Sequence, residues 1–188
     1  MKFQDDNYYI DRILSGEVAA YASLVEKHKA LVFSIALKIL NNREDAEEVA
    51  QDAFVKAYQS LKSFERKSKF STWLYRIVYN AAVSRTRKKK MEFVAMDDAI
   101  IRNYTEMELT ERVDQMDEND QRLLMEKAVN RLPGEDHLLV TLFYHSDNSI
   151  DEISYITGLS ASNVKVRLHR IRKRLYAEIS EMMQAEMV

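Results

Sequence analysis

The sequence predicts an all-α protein made of two small helical domains joined by an acidic linker, the second containing a helix-turn-helix. Three observations carry that prediction: only three Gly and one Pro in 188 residues, apolar residues recurring at the helical period, and charge that alternates in blocks along the chain. So few turn residues argue against an all-β sandwich or a collagen-like repeat, and a composition 46% hydrophobic and 31% charged argues against wholesale disorder. The length has room for one ordinary domain or two small ones.

Leu24, Leu31, Ile35 and Ile39 share one stripe and predict an amphipathic helix over residues 17–40, stopping at Asn41-Asn42. A second helix starts at Asn42, with Glu44 and Asp45 in the first turn where carboxylates complement the helix dipole, and reaches Ser60. Residues 62–71 lack a helical stripe and read as a basic loop carrying Phe64 and Phe70, after which Ser71 is expected to cap a helix over 72–90. Residues 91–120 are acidic without a sustained apolar face and read as an extended or partly disordered linker.

Beyond the linker a helix over 121–131 is expected to stop at Leu132-Pro133-Gly134, because proline drives its predecessor out of the αR region. The next helix covers 135–145. Ser149-Ile150-Asp151-Glu152 has the capping-box pattern, which starts a short helix over 150–157 that Gly158 ends by taking a positive φ. Ser160 then caps a long basic helix from Ala161, so that helix, glycine turn and basic helix follow in helix-turn-helix order.

Charge is the most informative property. The net charge of -2 conceals a block at 61–90 with 10 basic and 1 acidic residues, and one at 91–126 with 3 basic and 11 acidic. Lys165, Arg167, Arg170, Arg172, Lys173 and Arg174 form a second cationic run without an acid. A single such run is usually a solvated helix face; two dense islands separated by acid indicate contact with a polyanion. No cysteine is present, which excludes a disulfide framework and a Cys-based zinc site, and His28, His137, His145 and His169 are too scattered for a metal cluster. No cofactor is expected. The start of the chain lacks an apolar export core, and the apolar run 31–40 is interrupted and too short to span a bilayer, so a cytoplasmic protein without membrane insertion is expected.

Projection at the helical period puts Val164, Leu168, Ile171 and Leu175 on the inward face of the last helix and Ser162, Asn163, Val166, His169, Arg170 and Lys173 on the opposite one. A major groove accepts one helix, whose early residues reach base edges while flanking cations meet phosphates. Ser160, Ser162, Asn163, Lys165, Val166, Arg167, His169, Arg170 and Lys173 are therefore the duplex-reading candidates. The same projection on the second helix separates an alanine-rich inward face from a stripe of Glu44, Asp45, Glu48, Gln51, Asp52 and Val55, which serves either solubility or the docking of a basic protein partner.

The segments Asp45-Ala-Glu-Glu-Val-Ala-Gln-Asp-Ala-Phe54, Phe64, Phe70-Ser-Thr-Trp-Leu-Tyr-Arg-Ile77 with Asn80, Ile150-Asp-Glu-Ile-Ser, and Asn163-Val-Lys-Val-Arg-Leu-His-Arg-Ile-Arg-Lys-Arg-Leu175 occur in an order and spacing that resembles the extracytoplasmic-function group of bacterial sigma factors. The resemblance implies region two over residues 1–92, an acidic linker over 93–120 and region four over 121–188. It implies no enzymatic activity. Core RNA polymerase is the implied partner, with Asp45, Glu48, Gln51, Asp52 and Val55 docking the clamp helices of its largest subunit. Promoter DNA is the implied ligand: Phe64, Arg66, Lys67, Lys69, Phe70, Arg76, Asn80, Ser84 and Arg87 open and capture the minus-ten element, and the last helix reads the minus-thirty-five duplex. An anti-sigma protein is a further partner expected from the family. Ser84 and His137 depart from residues common in the family.

A lone Trp at a helix start reads as a core anchor in preference to a stacking platform, and Trp73 is assigned so. A stand-alone helix-turn-helix regulator accounts for residues 149–175 but leaves 62–90 unexplained. A metal-dependent nuclease is disfavoured because acids along one exposed helix do not converge on an ion, and no phosphate-cradling glycine loop is present.

Overall fold

A computed structural model describes residues 4–89 and 116–185, and the linker expectation lies outside them except at its last few residues. The described residues form eight α-helices in order: α1 Asp6–Leu14, α2 Tyr21–Leu40, α3 Arg43–Ser60, α4 Phe70–Lys89, α5 Glu118–Asn130, α6 Gly134–Val140, α7 Ile150–Thr157 and α8 Ala161–Ala185. Helix α6 runs on as a π-helical turn, Thr141–His145.

The first half packs α2, α3 and α4 against one another, with α1 laid across α2. Helix α1 escapes the sequence reading. Asp5 caps it by accepting a hydrogen bond from the Asn7 amide at 3.2 Å, and Ile10 and Ile13 point into the core. Asp6 reaches His28 Nε2 at 3.0 Å and Lys27 Nζ at 2.7 Å, tying α1 to α2. Burial pushes the Asp6 carboxyl up, but the hydrogen bonds from His28 and Lys27 outweigh it and leave the group below the ordinary aspartate value.

Asn41 ends α2 in the left-handed conformation, φ 49°, and Asn42 caps α3 by accepting the Asp45 amide at 2.9 Å, as its pattern predicts. Helix α4 begins earlier than expected. Phe70 opens it and Ser71 lies inside it, because Phe70 is buried at 3% exposure among His28, Phe64 and Trp73 and that packing draws the first turn inward.

In the second half the capping box forms as read: Ser149 Oγ accepts the Glu152 amide at 3.2 Å and Glu152 accepts the Ser149 amide at 2.8 Å. Gly158 ends α7 at φ 75°, and Ser160 Oγ accepts the Asn163 amide at 3.2 Å at the start of α8. Leu124, Ala128, Ile179 and Met182 form a small separate cluster between α5 and α8.

The two halves do not stand apart on a tether. A continuous hydrophobic core runs from Ile10 to Ile171, joining both, with α6 packed on α2 and α7 packed on α4. Leu138 and Leu139, each 2% exposed, lie in this shared core, and burying such side chains contributes about 1.5–3 kcal/mol apiece. Four further contacts cross the junction. Gly134, the first residue of α6, sits so close to α2 that a Cβ there would fall 2.1 Å from the Lys38 carbonyl oxygen. The fully buried Thr72 donates its hydroxyl to Glu152 at 3.2 Å, and Lys69 approaches the same carboxylate at 3.2 Å. The Arg76 guanidinium lies 4.1 Å from the centre of the Tyr155 ring.

Gly134→Ala is expected to part the halves without unfolding either, since the added methyl meets backbone and not a movable side chain. Small-angle scattering would register a larger radius of gyration at unchanged helical circular dichroism; an unchanged radius would disprove this account of the junction. Acid is expected to loosen the same junction. Burial raises the Glu152 pKa, but hydrogen bonds from Ser149, Lys69 and Thr72 outweigh it and leave it below the ordinary glutamate value. A depressed carboxylate contributes stability that is complete above its unfolded value and lost as pH falls through the lower folded value. Expansion on acidification below about pH 4.3 should be smaller in Glu152→Gln, which begins from a looser junction at neutral pH.

Candidate nucleic-acid interface

The loop between α3 and α4 folds around an aromatic cluster. Phe64 lies 5.0 Å from Trp73 and 5.9 Å from Phe70, centroid to centroid, and Phe70 lies 5.7 Å from His28. Phe64 and Trp73 are half-buried, so each keeps part of a face toward solvent, whereas Phe70 is enclosed. The expectation that Phe70 presents a surface for a base is thus corrected: here it is the anchor on which the loop rests. Trp73 joins the core as its position suggested.

Arg66 takes the left-handed conformation, φ 57°, and its guanidinium pairs with Asp11 of α1, which pins the loop to a helix the sequence reading did not contain. Lys67 pairs with its neighbour Glu65. Along α4, Arg76, Asn80 and Ser84 recur every fourth residue and all three are exposed, forming one stripe beside the loop. Arg87 continues α4, and its side chain lies outside the described residues. The loop and the start of this stripe abut α7 in a shallow cleft of about 470 Å³ lined by Phe64, Lys67, Thr72, Trp73, Glu152 and Tyr155.

The second surface is on α8. Ser160, Ser162, Asn163, Lys165, Val166, His169, Arg170 and Lys173 are all exposed, and Val166 keeps 48% of its surface open although it is apolar. Val164 and Ile171 face the core, as the projection requires. Arg167 departs from its expected place among the duplex readers. It is half-buried and bonds Glu135 and Asp136 at 3.0 Å each, bracing α8 against the start of α6. His137 is not a surface cation either. Burial, then the nearby Lys38, holds its pKa below the ordinary histidine value, and its ring bonds to the Val129 backbone.

The third surface is on α3, where Glu48, Gln51, Asp52 and Val55 are exposed and Asp45 is partly covered. Val55 is 55% exposed, the apolar member of an otherwise polar stripe. Arg85 of α4, although it lies in the basic block 61–90, turns its guanidinium to α3 and bonds Asp45 and Glu48. Among the described residues no helix is long and apolar enough to cross a membrane, and no three acidic or histidine side chains gather as a metal site.

This geometry offers three chemically distinct faces: an aromatic and cationic face suited to unpaired bases, a helix free to enter a major groove, and an acidic stripe. Residues 24–92 match the family model for sigma-70 region 2, and residues 107–175 match that for sigma-70 region 4. Among curated proteins the chain is 28% identical to the extracytoplasmic-function RNA polymerase sigma factor SigW of Bacillus subtilis, over 92% of this chain and 96% of that one. It is likewise 28% identical to the sigma-E factor of Escherichia coli, over 90% and 92% of the two chains. Among solved structures it shares its fold with CnrH in complex with the cytosolic domain of CnrY, at a TM-score of 0.59, 23% identity and coverage of 96% and 97%. The sigma factor RpoE in complex with the anti-sigma factor NepR from Bartonella quintana gives a TM-score of 0.59 at 22% identity, over 85% of this chain and 96% of that one. With both family models matched in order and relatives aligned along nearly their whole length, the chain belongs to the extracytoplasmic-function group of the sigma-70 family of RNA polymerase sigma factors.

Proposed function

We propose that the chain brings core RNA polymerase to promoters by dividing the work between its halves: residues 1–92 dock polymerase and capture the opened minus-ten strand, residues 121–188 read the minus-thirty-five duplex, and 93–120 link them. The observation that carries this reading is the coexistence of the Arg76, Asn80, Ser84 stripe beside a half-open aromatic loop with a wholly exposed reading face on α8. A stand-alone helix-turn-helix regulator would need only the second surface. The chain acts by binding, in the cytoplasm where polymerase works, and leaves the chemistry to the polymerase.

Opening duplex DNA costs about 1.4 kcal/mol per base-pair step, and one base stacked or pocketed by protein returns about 1–3 kcal/mol. Capture of one or two bases by Phe64 and Asn80 is therefore enough to hold a bubble that polymerase has begun. Arg66, Lys67, Lys69, Arg76 and Arg87 supply cations for the phosphates. On α8, Ser160, Ser162, Asn163, Val166, His169 and Arg170 reach base edges, and Lys165 and Lys173 reach the backbone.

Because Glu152 and Tyr155 lie on Lys69, Thr72 and Arg76, the packed form leaves the duplex-reading helix open and covers part of the strand-capturing surface. Minus-ten capture then requires α7 to leave α4, which polymerase docking would favour by spacing the halves along the promoter. An anti-sigma partner that favours the packed form would act in the opposite sense.

Reconstitution with core polymerase and genomic DNA, followed by mapping of transcript starts, is expected to reveal paired motifs at fixed spacing. Arg170→Ala should weaken upstream recognition by about 1–3 kcal/mol, roughly 5- to 150-fold, without impairing strand opening once polymerase is placed. Asn80→Ala or Phe64→Ala should leave initial duplex binding near wild type and reduce permanganate-reactive open complex. The opposite assignment of defects would refute the division of labour.

A further inference from the structure

Arg85 stands on the same helix as Asn80 and Ser84, yet its guanidinium reaches across to α3. Nη1 donates to Glu48 Oε1 at 2.9 Å, while Nη2 donates to Glu48 Oε2 at 2.7 Å and to Asp45 Oδ1 at 2.9 Å. One planar fork thus holds both oxygens of one carboxylate and one oxygen of a second, a geometry that lysine cannot reproduce. The Glu48 side chain is 56% exposed and that of Asp45 only 13%, so Glu48 is the acid a partner protein would meet.

An exposed glutamate is ordinarily free to sample many rotamers, and a partner that fixes it must oppose that freedom. Here Arg85 has already done so. Each carboxylate oxygen accepts more than one hydrogen bond, so the fork leaves outward lone pairs of Glu48 available. The arginine charge also offsets repulsion among Asp45, Glu48 and Asp52 along the stripe. Glu48 is held below the ordinary glutamate value, first by its hydrogen bond to Arg85, and stays ionised. Exposed ion pairs add little to folding, so the consequence of this one falls on geometry.

We propose that Arg85 is a positioning residue for polymerase docking: it fixes the exposed Glu48 carboxylate in a binding-ready rotamer and braces the α3 stripe against the helix that handles minus-ten DNA. The inference rests on the reading of the α3 stripe as the docking surface, and it assigns Arg85, a cation of the basic block 61–90, to the polymerase side.

The test measures affinity of the full chain for core polymerase by fluorescence competition in the absence of DNA. Arg85→Ala is expected to weaken binding about tenfold, the scale of one immobilised side chain plus its charge, with the melting temperature and minus-thirty-five duplex binding unchanged. Arg85→Lys should recover part of the loss, and Arg85→Ala combined with Glu48→Ala should be no weaker than Glu48→Ala alone, because the two act as one unit. If Val55→Ala and Gln51→Ala weaken binding while Arg85→Ala does not, the positioning role is wrong and the docking surface stands. If none of these variants weakens binding, the docking reading itself fails. A loss in Arg85→Ala that tracks a lowered melting temperature would identify a folding role and overturn the proposal.

Discussion

Much of this structure turns on a single carboxylate. Glu152 accepts the Ser149 amide and thereby closes the capping box that starts the helix-turn-helix, and it also accepts the Thr72 hydroxyl and faces Lys69 from the other half. Its position three residues after Ser149 is dictated locally, by the reciprocal geometry of the cap. Its remaining hydrogen-bonding capacity then meets α4. Hydrogen bonds to a charged group contribute about 1.5–3 kcal/mol where they are sheltered, as at the fully buried Thr72, whereas the exposed Lys69 pair adds about 0–1 kcal/mol. A residue needed for the local fold of one half is in this way also the polar centre of the contact between halves.

That contact decides which functional surface the packed chain displays. Helix α7 covers the beginning of α4, while α8 turns its apolar stripe inward and leaves the face proposed to read duplex DNA in solvent. The asymmetry follows from how a helix-turn-helix is built: the reading helix must keep one face free, so the first helix of the motif is the one available to pack elsewhere. Gly134 allows the remaining approach, since no larger residue leaves room for the Lys38 carbonyl.

Local rules made the second half legible. Capping-box chemistry, a glycine with positive φ and a strict apolar stripe placed both ends of α7 and the start of α8 from sequence to within the residue. The acidic stripe of α3 was legible for the same reason, because helical periodicity alone separates Ala46, Val49, Ala53 and Phe54 from Glu48, Gln51 and Asp52. What local rules missed were features decided by tertiary contacts. Helix α1 has a capping Asp5 and paired isoleucines, but its short stripe is convincing only once Asp6 meets His28 and Lys27. Phe70 and Arg167 carry side chains suited to DNA and lie in segments suited to DNA, yet one fills an aromatic cluster and the other bonds two acids of α6. Helical projection reports the face a residue occupies and not the neighbour it will find there.

The same distinction bears on the cationic islands. Counted along the chain, residues 61–90 form a strongly basic block, but Arg66, Lys67, Lys69 and Arg85 each face a carboxylate and Arg76 lies on an aromatic ring. The field this half projects is therefore weaker than its composition suggests. Most of these pairs are exposed, and an exposed pair is worth about 0–1 kcal/mol, so a phosphate backbone can exchange with them one at a time at little cost. The apolar core shared by the halves cannot be exchanged piecemeal. Under the proposed division of labour, the barrier to strand capture therefore lies in parting α7 from α4 and α6 from α2, and the ion pairs set only how readily the exposed cations turn to DNA afterwards.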